Sequence, residues 1–348
     1  MDKFQIAVVG CGLIGREHIK RIRENPLTEL SAIIDLNHEA ESVAIDHRCE
    51  YYSSLDQLFE NQSPAGVIIA TPNHLHVEQT LRCIEARTAI LVEKPLADNW
   101  IEAARICDSI HSNQARVLVG HHRTHSPIVN TATKIIKDGL LGELVTIQGS
   151  ATFYKPDDYF DEGPWRKVQG GGPILINLIH EIGSLRQMCG EIKAVQAISS
   201  NARRKFEVED TAAMTLTFEN GALGTFILSD TAASARSWEQ TSAENPSYSS
   251  YPDEDCYVIS GTYGTLSIPT MRLKRFSSKQ DRSWWKEFDC STIDLVREDP
   301  LKLQLQHFCS VIAGKVRPLV SAHDGMQNLK VIDAIQRSII SGGTVEVG

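Results

Sequence analysis

Gly10, Gly12 and Gly15 are spaced as G-x-G-x-x-G, and Asp35 follows about twenty residues later. Glycines at this spacing serve three needs. The first permits a tight turn, the second lets the backbone approach a pyrophosphate, and the third lets a helix pack on a strand. The pyrophosphate would meet unpaired N–H groups and the positive end of a helix dipole. A carboxylate at the end of the next strand can accept hydrogen bonds from an adenosine ribose, the role expected of Asp35. Its plainer alternative is to cap the following helix. Asp35 would repel a 2′-phosphate, so the pattern favours NAD over NADP. Leu13 and Ile14 begin the helix and join Gly10, Gly12, Gly15 and Asp35 as expected cofactor contacts.

The elements that must position these residues are legible around them. Phe4 to Val9 is a short apolar run rich in β-branched residues, hence a buried strand, and an amphipathic helix follows from Leu13. Strand-like runs recur at 30–34, 50–52, 66–70, 88–92 and 115–119, with helical stretches between them. Such alternation predicts a doubly wound parallel sheet, with ligands beyond the carboxyl ends of its strands. Gly10, Asp35, Thr71, Glu93 and Gly120 all fall at such ends. Beyond Leu144 the pattern changes to alternating strands at 144–154, 193–200, 207–218, 222–230, 254–260 and 263–268, with hairpin-like turns such as Glu219-Asn220-Gly221-Ala222. This predicts a second α/β domain on a large, mostly antiparallel open sheet. The expected domains are 1–122, binding NAD(P), and 123–348, binding substrate.

Composition narrows the function classes. The chain has 348 residues, 42% hydrophobic and 23% charged, which suits an ordinary two-domain globular protein. The net charge of -9 and the absence of a strongly basic stretch argue against a nucleic-acid partner. No apolar run reaches the roughly 18 residues that span a membrane. The first strand begins at once with no signal peptide ahead of it, and the eight cysteines form no C-x-x-C pair. A cytoplasmic protein with reduced thiols is the expectation.

Glu93-Lys94-Pro95 is a lysine fixed at a strand end, where an ammonium can stabilise a developing alkoxide. By itself, a surface lysine paired with Glu93 is the plainer reading. With it, the chain resembles the glucose–fructose oxidoreductase / inositol dehydrogenase (Gfo/Idh/MocA) family of NAD(P)-dependent enzymes. The matching pieces are VVGCGLIG at 8–15, ATPNHLH at 70–76, VEKPLA at 92–97 and WRKVQGGGPILINLIH at 165–180. The resemblance implies that Lys94 touches both the nicotinamide ribose region and the substrate hydroxyl. It places Thr71, Pro72, Asn73, His76 and Glu93 near the cofactor. It also implies that His180, eight residues past the last glycine of Gly170-Gly171-Gly172, is the general acid/base. An imidazole titrates near working pH and suits the proton released as hydride leaves. On the residues alone, a lone histidine in an apolar helix is more often a core residue.

The sequence departs from the family at Ile176, where many members carry an aspartate four residues before the histidine, and at Gly183, where an acidic residue is usual. Asn177, three residues before His180, is expected on the same helix face, able to bond substrate or orient His180. His121-His122-Arg123-Thr124-His125 follows the sixth strand. A metal site on His121 and His125 is disfavoured because no partner ligands cluster nearby. His122 and Arg123 are expected at the substrate, the arginine by resemblance, and His121 and His125 in solvent; a polar linker is the alternative. Tyr154, Lys155, Asp157, Asp158 and Tyr159, with Trp165 and Arg166, occupy the region from which the family draws specificity residues. Each is equally readable as exposed loop. Of these, Tyr154 and Trp165 are taken as substrate contacts.

The expected function is an NAD-dependent dehydrogenase acting on a secondary hydroxyl of a polyol, inositol or sugar-like substrate. Lys94 and His180 are its catalytic residues, and no metal is expected. A family reductase or dihydrodiol dehydrogenase, or a non-catalytic NAD or sugar sensor, is the alternative. The resemblance also implies a homodimer or homotetramer through the open sheet.

Overall fold

The computed structural model describes residues 3–348. The chain divides into two compact units. One comprises the residues up to His122 with Pro300–Leu329, the other Arg123–Asp299 with Lys330–Gly348.

The first unit is built on six parallel strands, β1 (Phe4–Val9), β2 (Thr28–Ile34), β3 (Glu50–Tyr52), β4 (Gly66–Ile69), β5 (Ala89–Glu93) and β6 (Val117–Gly120). Their order is β3-β2-β1-β4-β5-β6. Helices α1 (Leu13–Glu24), α2 (Glu39–His47), α3 (Leu55–Asn61), α4 (His76–Glu85) and α5 (Trp100–Asn113) connect them. The strands read as continuous apolar runs because both faces are covered; Ile6, Ala7, Val8, Val67, Ile68, Ile90 and Leu91 have no solvent exposure. Ser54 and Asn99 cap α3 and α5 by accepting the backbone N–H of Gln57 and Glu102. The strand order reverses direction between β1 and β4, the switch point where such sheets bind ligands.

The sequence assigns all of 123–348 to the second domain, but residues 300–329 cluster with the first unit. The reason is packing. A Cβ added to Gly66 on β4 would lie 2.8 Å from Ile312 and 3.0 Å from Phe308, both on the helix Pro300–Ile312.

The second unit contains α6 (Pro127–Lys137), β7 (Leu144–Thr152), the short α7 (Asp157–Asp161), α8 (Ile179–Cys189), β8 (Ile192–Ser200), β9 (Thr211–Phe218) and β10 (Leu223–Ser229). The short α9 (Trp238–Thr241), β11 (Tyr257–Gly261), β12 (Gly264–Ile268), β13 (Arg272–Arg275), β14 (Asp289–Thr292) and β15 (Val345–Glu346) follow. The nine strands run β14-β13-β12-β11-β7-β10-β9-β8-β15. Only β7 and β10 pair in parallel; the other pairs are antiparallel. Strands β13 and β14 go beyond those expected from sequence. One face buries Ile147, Met214, Leu216, Phe226, Tyr257 and Leu266. The opposite face leaves Ile198 and Ile227 exposed, in one row across Ala213 of β9.

Candidate active site

At the carboxyl end of β1 the three glycines do three different jobs. Gly10 has φ +93°, and a Cβ on it would meet the Ala70 carbonyl oxygen at 2.6 Å. A Cβ on Gly15 would lie 1.9 Å from the Gly10 carbonyl oxygen, so α1 packs against the turn as only glycine allows. A Cβ on Gly12 would meet nothing within 4 Å. Gly12 opens α1, and no side chain caps the N–H groups there. Open space beside uncapped helix N–H groups fits a pyrophosphate. Asp35 lies across this turn: Oδ2 accepts the Cys11 N–H at 2.7 Å and Oδ1 accepts the Asn37 N–H at 2.9 Å. Leu13 stands 81% exposed beside it. The residues present therefore fit a dinucleotide.

The E-K-P turn at the end of β5 is held from two helices. Glu93 is buried, its Oε1 2.7 Å from Nε2 of His18 on α1, while Oε2 accepts the Lys94 N–H at 3.2 Å. A Cβ on Gly120 would strike Glu93 at 2.9 Å, so β6 closes over it. His76, at the start of α4, sets Nδ1 2.7 Å from the Pro95 carbonyl oxygen and Nε2 2.9 Å from that of Thr71. Its ring is therefore spent on the protein backbone, beneath the turn that the sequence assigns to cofactor. The Thr71 hydroxyl donates to Gln79, and the Asn73 amide donates to Asp98. Pro72 precedes a single 3₁₀ turn, Asn73–Leu75. His122 is half-buried at the end of the unit.

Two expectations for this stretch are corrected. His121 and His125, expected in solvent, are 2% and 6% exposed. For His121 the cause is Asn328, whose side-chain nitrogen lies 3.1 Å from the ring Nε2 in the interior of the first unit.

In the second unit, the glycines 170–172 lead into a five-residue π-helical turn, Ile174–Leu178, before α8 begins. A π turn widens the helix and re-aims its side chains. The regular α spacing expected from Asn177 to His180 is thus interrupted. Asn177 instead accepts from Lys155 Nζ at 2.7 Å. Lys155 is buried, 3.8 Å from Asp230 and 4.8 Å from the Tyr159 ring centre. Asp230 in turn takes Arg204 Nε at 2.9 Å. Burial pushes the Asp230 carboxyl up, and Lys155 and Arg204 pull it back. Tyr154 and Trp165 are exposed, and Arg204 lies over the Tyr154 ring.

His180 is buried, on a helix enclosed on nearly every side. Its neighbour Glu181 is 1% exposed. Arg123 Nη1 donates to Glu181 Oε1 at 2.5 Å, Arg123 Nη2 donates to Glu239, and the Tyr257 hydroxyl donates to Glu181 Oε2. Trp238 lies beneath the guanidinium at 5.9 Å. Burial opposes the Arg123 charge, but Glu181 and Glu239 outweigh it and push the guanidinium up. Burial also raises Glu181, offset by Arg123. Arg123, expected at the substrate, is thus occupied by two carboxylates beside the proposed base. His18, Glu239 and Tyr257 carry no sequence signal for these roles. Glu181 carries one, as the single acidic residue of α8. Among the described residues no group of three or more His, Cys, Asp or Glu could hold a metal ion.

A parallel sheet with a dinucleotide turn at its switch point, followed by a large mostly antiparallel sheet, defines an NAD-binding oxidoreductase. The chain belongs to the Gfo/Idh/MocA family: residues 4–121 match its oxidoreductase domain with an NAD-binding Rossmann fold, and residues 129–267 match its C-terminal domain. It is 27% identical over 268 residues to the 2,7-anhydro-N-acetylneuraminate hydratase of Escherichia coli (strain K12), covering 75% of this chain and 66% of that one. Several other curated relatives are matched over about half their length. Inositol 2-dehydrogenase of Rhizobium meliloti (strain 1021) is 24% identical, with 96% of each chain covered. The structure of a levoglucosan dehydrogenase in complex with NADH and levoglucosan shares the fold, with TM-score 0.79, 22% identity and coverage of 99% of this chain and 100% of that one. Among the described residues, no helix is long and apolar enough to cross a membrane.

Proposed function

We propose that this chain is an NAD-dependent dehydrogenase that oxidises a secondary hydroxyl of a polyol, inositol or sugar-like substrate. The observation that carries the proposal is the combined occurrence of an open Gly12 turn backed by Asp35, a rigidly held Lys94 and a buried His180. Gly10, Gly12, Leu13, Ile14, Gly15 and Asp35 would hold NAD, with Thr71, Pro72, Asn73, Glu93 and Lys94 around it. When bound, NAD accepts or returns the hydride. In this proposal His180 takes the proton from the substrate hydroxyl oxygen. Lys94 donates a hydrogen bond to the same oxygen and stabilises its alkoxide character. His122, Tyr154, Trp165 and Asn177 contact the rest of the substrate, and Arg123 acts through Glu181. The names of relatives that act on inositol and levoglucosan support this substrate class. The exposed Ile198–Ala213–Ile227 row supports a homodimer or homotetramer formed through the open sheet. Eight free cysteines support a reducing, cytoplasmic setting.

One observation favours a second outcome for the same site: a 27% identical relative is named a hydratase. On that reading a sugar-like substrate is consumed without net cofactor turnover. The test follows both NADH and substrate loss across inositols, sugars, sugar acids and anhydro sugars, with NAD and with NADP. NADH formation on one stereochemical group supports the dehydrogenase. Substrate loss without NADH favours the second reading. His180→Ala should lower turnover about 100-fold or more while NAD affinity stays nearly unchanged; full activity in that variant would remove His180 from the mechanism.

A further inference from the structure

We propose that His76 is a buried imidazolium whose two N–H groups tie the E-K-P turn to the Thr71–Asn73 turn, making His76 a positioning residue for Lys94. Nδ1 lies 2.7 Å from the Pro95 carbonyl oxygen and Nε2 lies 2.9 Å from the Thr71 carbonyl oxygen. A carbonyl oxygen only accepts, and a neutral imidazole carries one N–H. Either neutral tautomer would therefore turn a ring lone pair onto a carbonyl lone pair at under 3 Å. Turning the ring over does not help, because C–H···O contacts need about 3.3 Å. Only the doubly protonated ring satisfies both oxygens.

Burial is the largest influence and on balance draws the imidazole below its ordinary value, although the Pro95 and Thr71 carbonyls, Glu93 and Asp98 draw it up. Glu93 comes from β5 and is itself bonded to His18 of α1, and Asp98 comes from the loop before α5 and is bonded to Asn73. Against that balance stand two short hydrogen bonds in a low-dielectric interior that no neutral tautomer can make together, and on this geometry we favour the charged ring.

The consequence is mechanical. The two residues that flank Lys94 are each gripped by a histidine from a different helix, Glu93 by His18 and Pro95 by His76. The lysine backbone cannot shift without breaking one of them. His76 also joins the carboxyl ends of β4 and β5, so both turns move as one piece. The charge state stands on geometry alone; the positioning role rests on the catalytic reading of Lys94.

The test uses the full chain labelled with ¹⁵N. His76 ring signals are assigned by their loss in His76→Gln, and both ring nitrogens should be protonated at pH 7. In His76→Gln, amide exchange at Lys94 and Leu96 should accelerate, and kcat should fall about 10- to 100-fold. The wild-type kcat should also fall as pH rises through the His76 pKa, a limb that His76→Gln lacks. A neutral ring at pH 7 overturns the proposal, and so does an imidazolium whose replacement leaves exchange at Lys94 unchanged. Should His76→Gln fail to fold, the wild-type ring, assigned through its neighbours in the folded chain, still decides the charge state. The nitrogen spectrum and amide exchange need no substrate, so failure here is distinguishable from failure of the dehydrogenase reading.

Discussion

Arg123 meets Glu181 at 2.5 Å, and Glu181 is the residue that follows His180 in the chain. The pair is buried, with the Tyr257 hydroxyl on the second carboxylate oxygen and Glu239 on the far side of the guanidinium. Such a pair is costly to leave half-made, because the surviving charge stays buried without its partner. It also fixes the rotation of α8 at the position from which His180 projects.

Removing Arg123 should therefore be strongly destabilising. Arg123→Ala should destabilise the chain by about 3–5 kcal/mol, measured by urea denaturation. Any Arg123 variant that folds should lose kcat more than NAD affinity, since the arginine serves the second unit. A cost below about 1 kcal/mol would mean that the pair contributes as little as a surface bridge.

The glycines of the dinucleotide turn should separate stability from binding. Gly12→Ala places its Cβ in open space at the helix N-cap, so stability should fall by no more than about 1 kcal/mol. NAD affinity, measured by calorimetry, should nevertheless drop steeply because that space is where the pyrophosphate would sit. Gly15→Ala drives a Cβ into the Gly10 carbonyl and should cost about 2 kcal/mol or more before any ligand is added. Equal binding losses without the stability contrast would contradict the division of labour.

Asp35 should set the choice between NAD and NADP. Its carboxylate already anchors the Cys11 N–H, which fixes it at the mouth of the turn. Asp35→Ser removes the charge that would repel a 2′-phosphate. The ratio of NADP to NAD affinity should rise about tenfold or more, a gain that corresponds to roughly 1.4 kcal/mol. No change in the ratio would mean that neighbouring residues decide the preference.

Glu244 should make stability depend on pH near neutrality. Burial lifts its carboxyl from 4.5 to about 7, although the Ser126 hydroxyl and the Trp238 N–H both donate to it. Between those two values the folded chain keeps a proton that the unfolded chain releases, so stability falls as pH rises from 4.5 toward 7. The loss should approach about 3 kcal/mol at most. Denaturation midpoints from pH 4.5 to 8 should show this slope in the wild type and a flatter one in Glu244→Gln.

Local signals carried much of this protein in plain sight. The six parallel strands are short apolar runs with both faces covered, so their burial is written into consecutive residues. The glycine turn is legible because each requirement, a positive φ at Gly10 and close packing at Gly15, acts on neighbouring atoms. Ser54 and Asn99 cap their helices through residues three positions away, again a local rule.

What the sequence could not decide is which buried polar groups find each other. His18 reaches Glu93 across 75 positions, Arg123 reaches Glu239 across 116, and His121 reaches Asn328 across 207. A histidine in a polar loop looks solvated until a distant helix covers it, as the helix carrying Asn328 covers His121. The π turn before α8 is equally silent, since no residue type demands it. The return of residues 300–329 to the first unit depends on a helix filling the space left by Gly66. Each partner compensates a desolvation cost that exists only after the chain has packed. Patterning alone therefore determined the six parallel strands and the dinucleotide turn, while resemblance to the family singled out Lys94 and His180. Tertiary packing alone decided what grips the E-K-P turn and what holds the helix that carries His180.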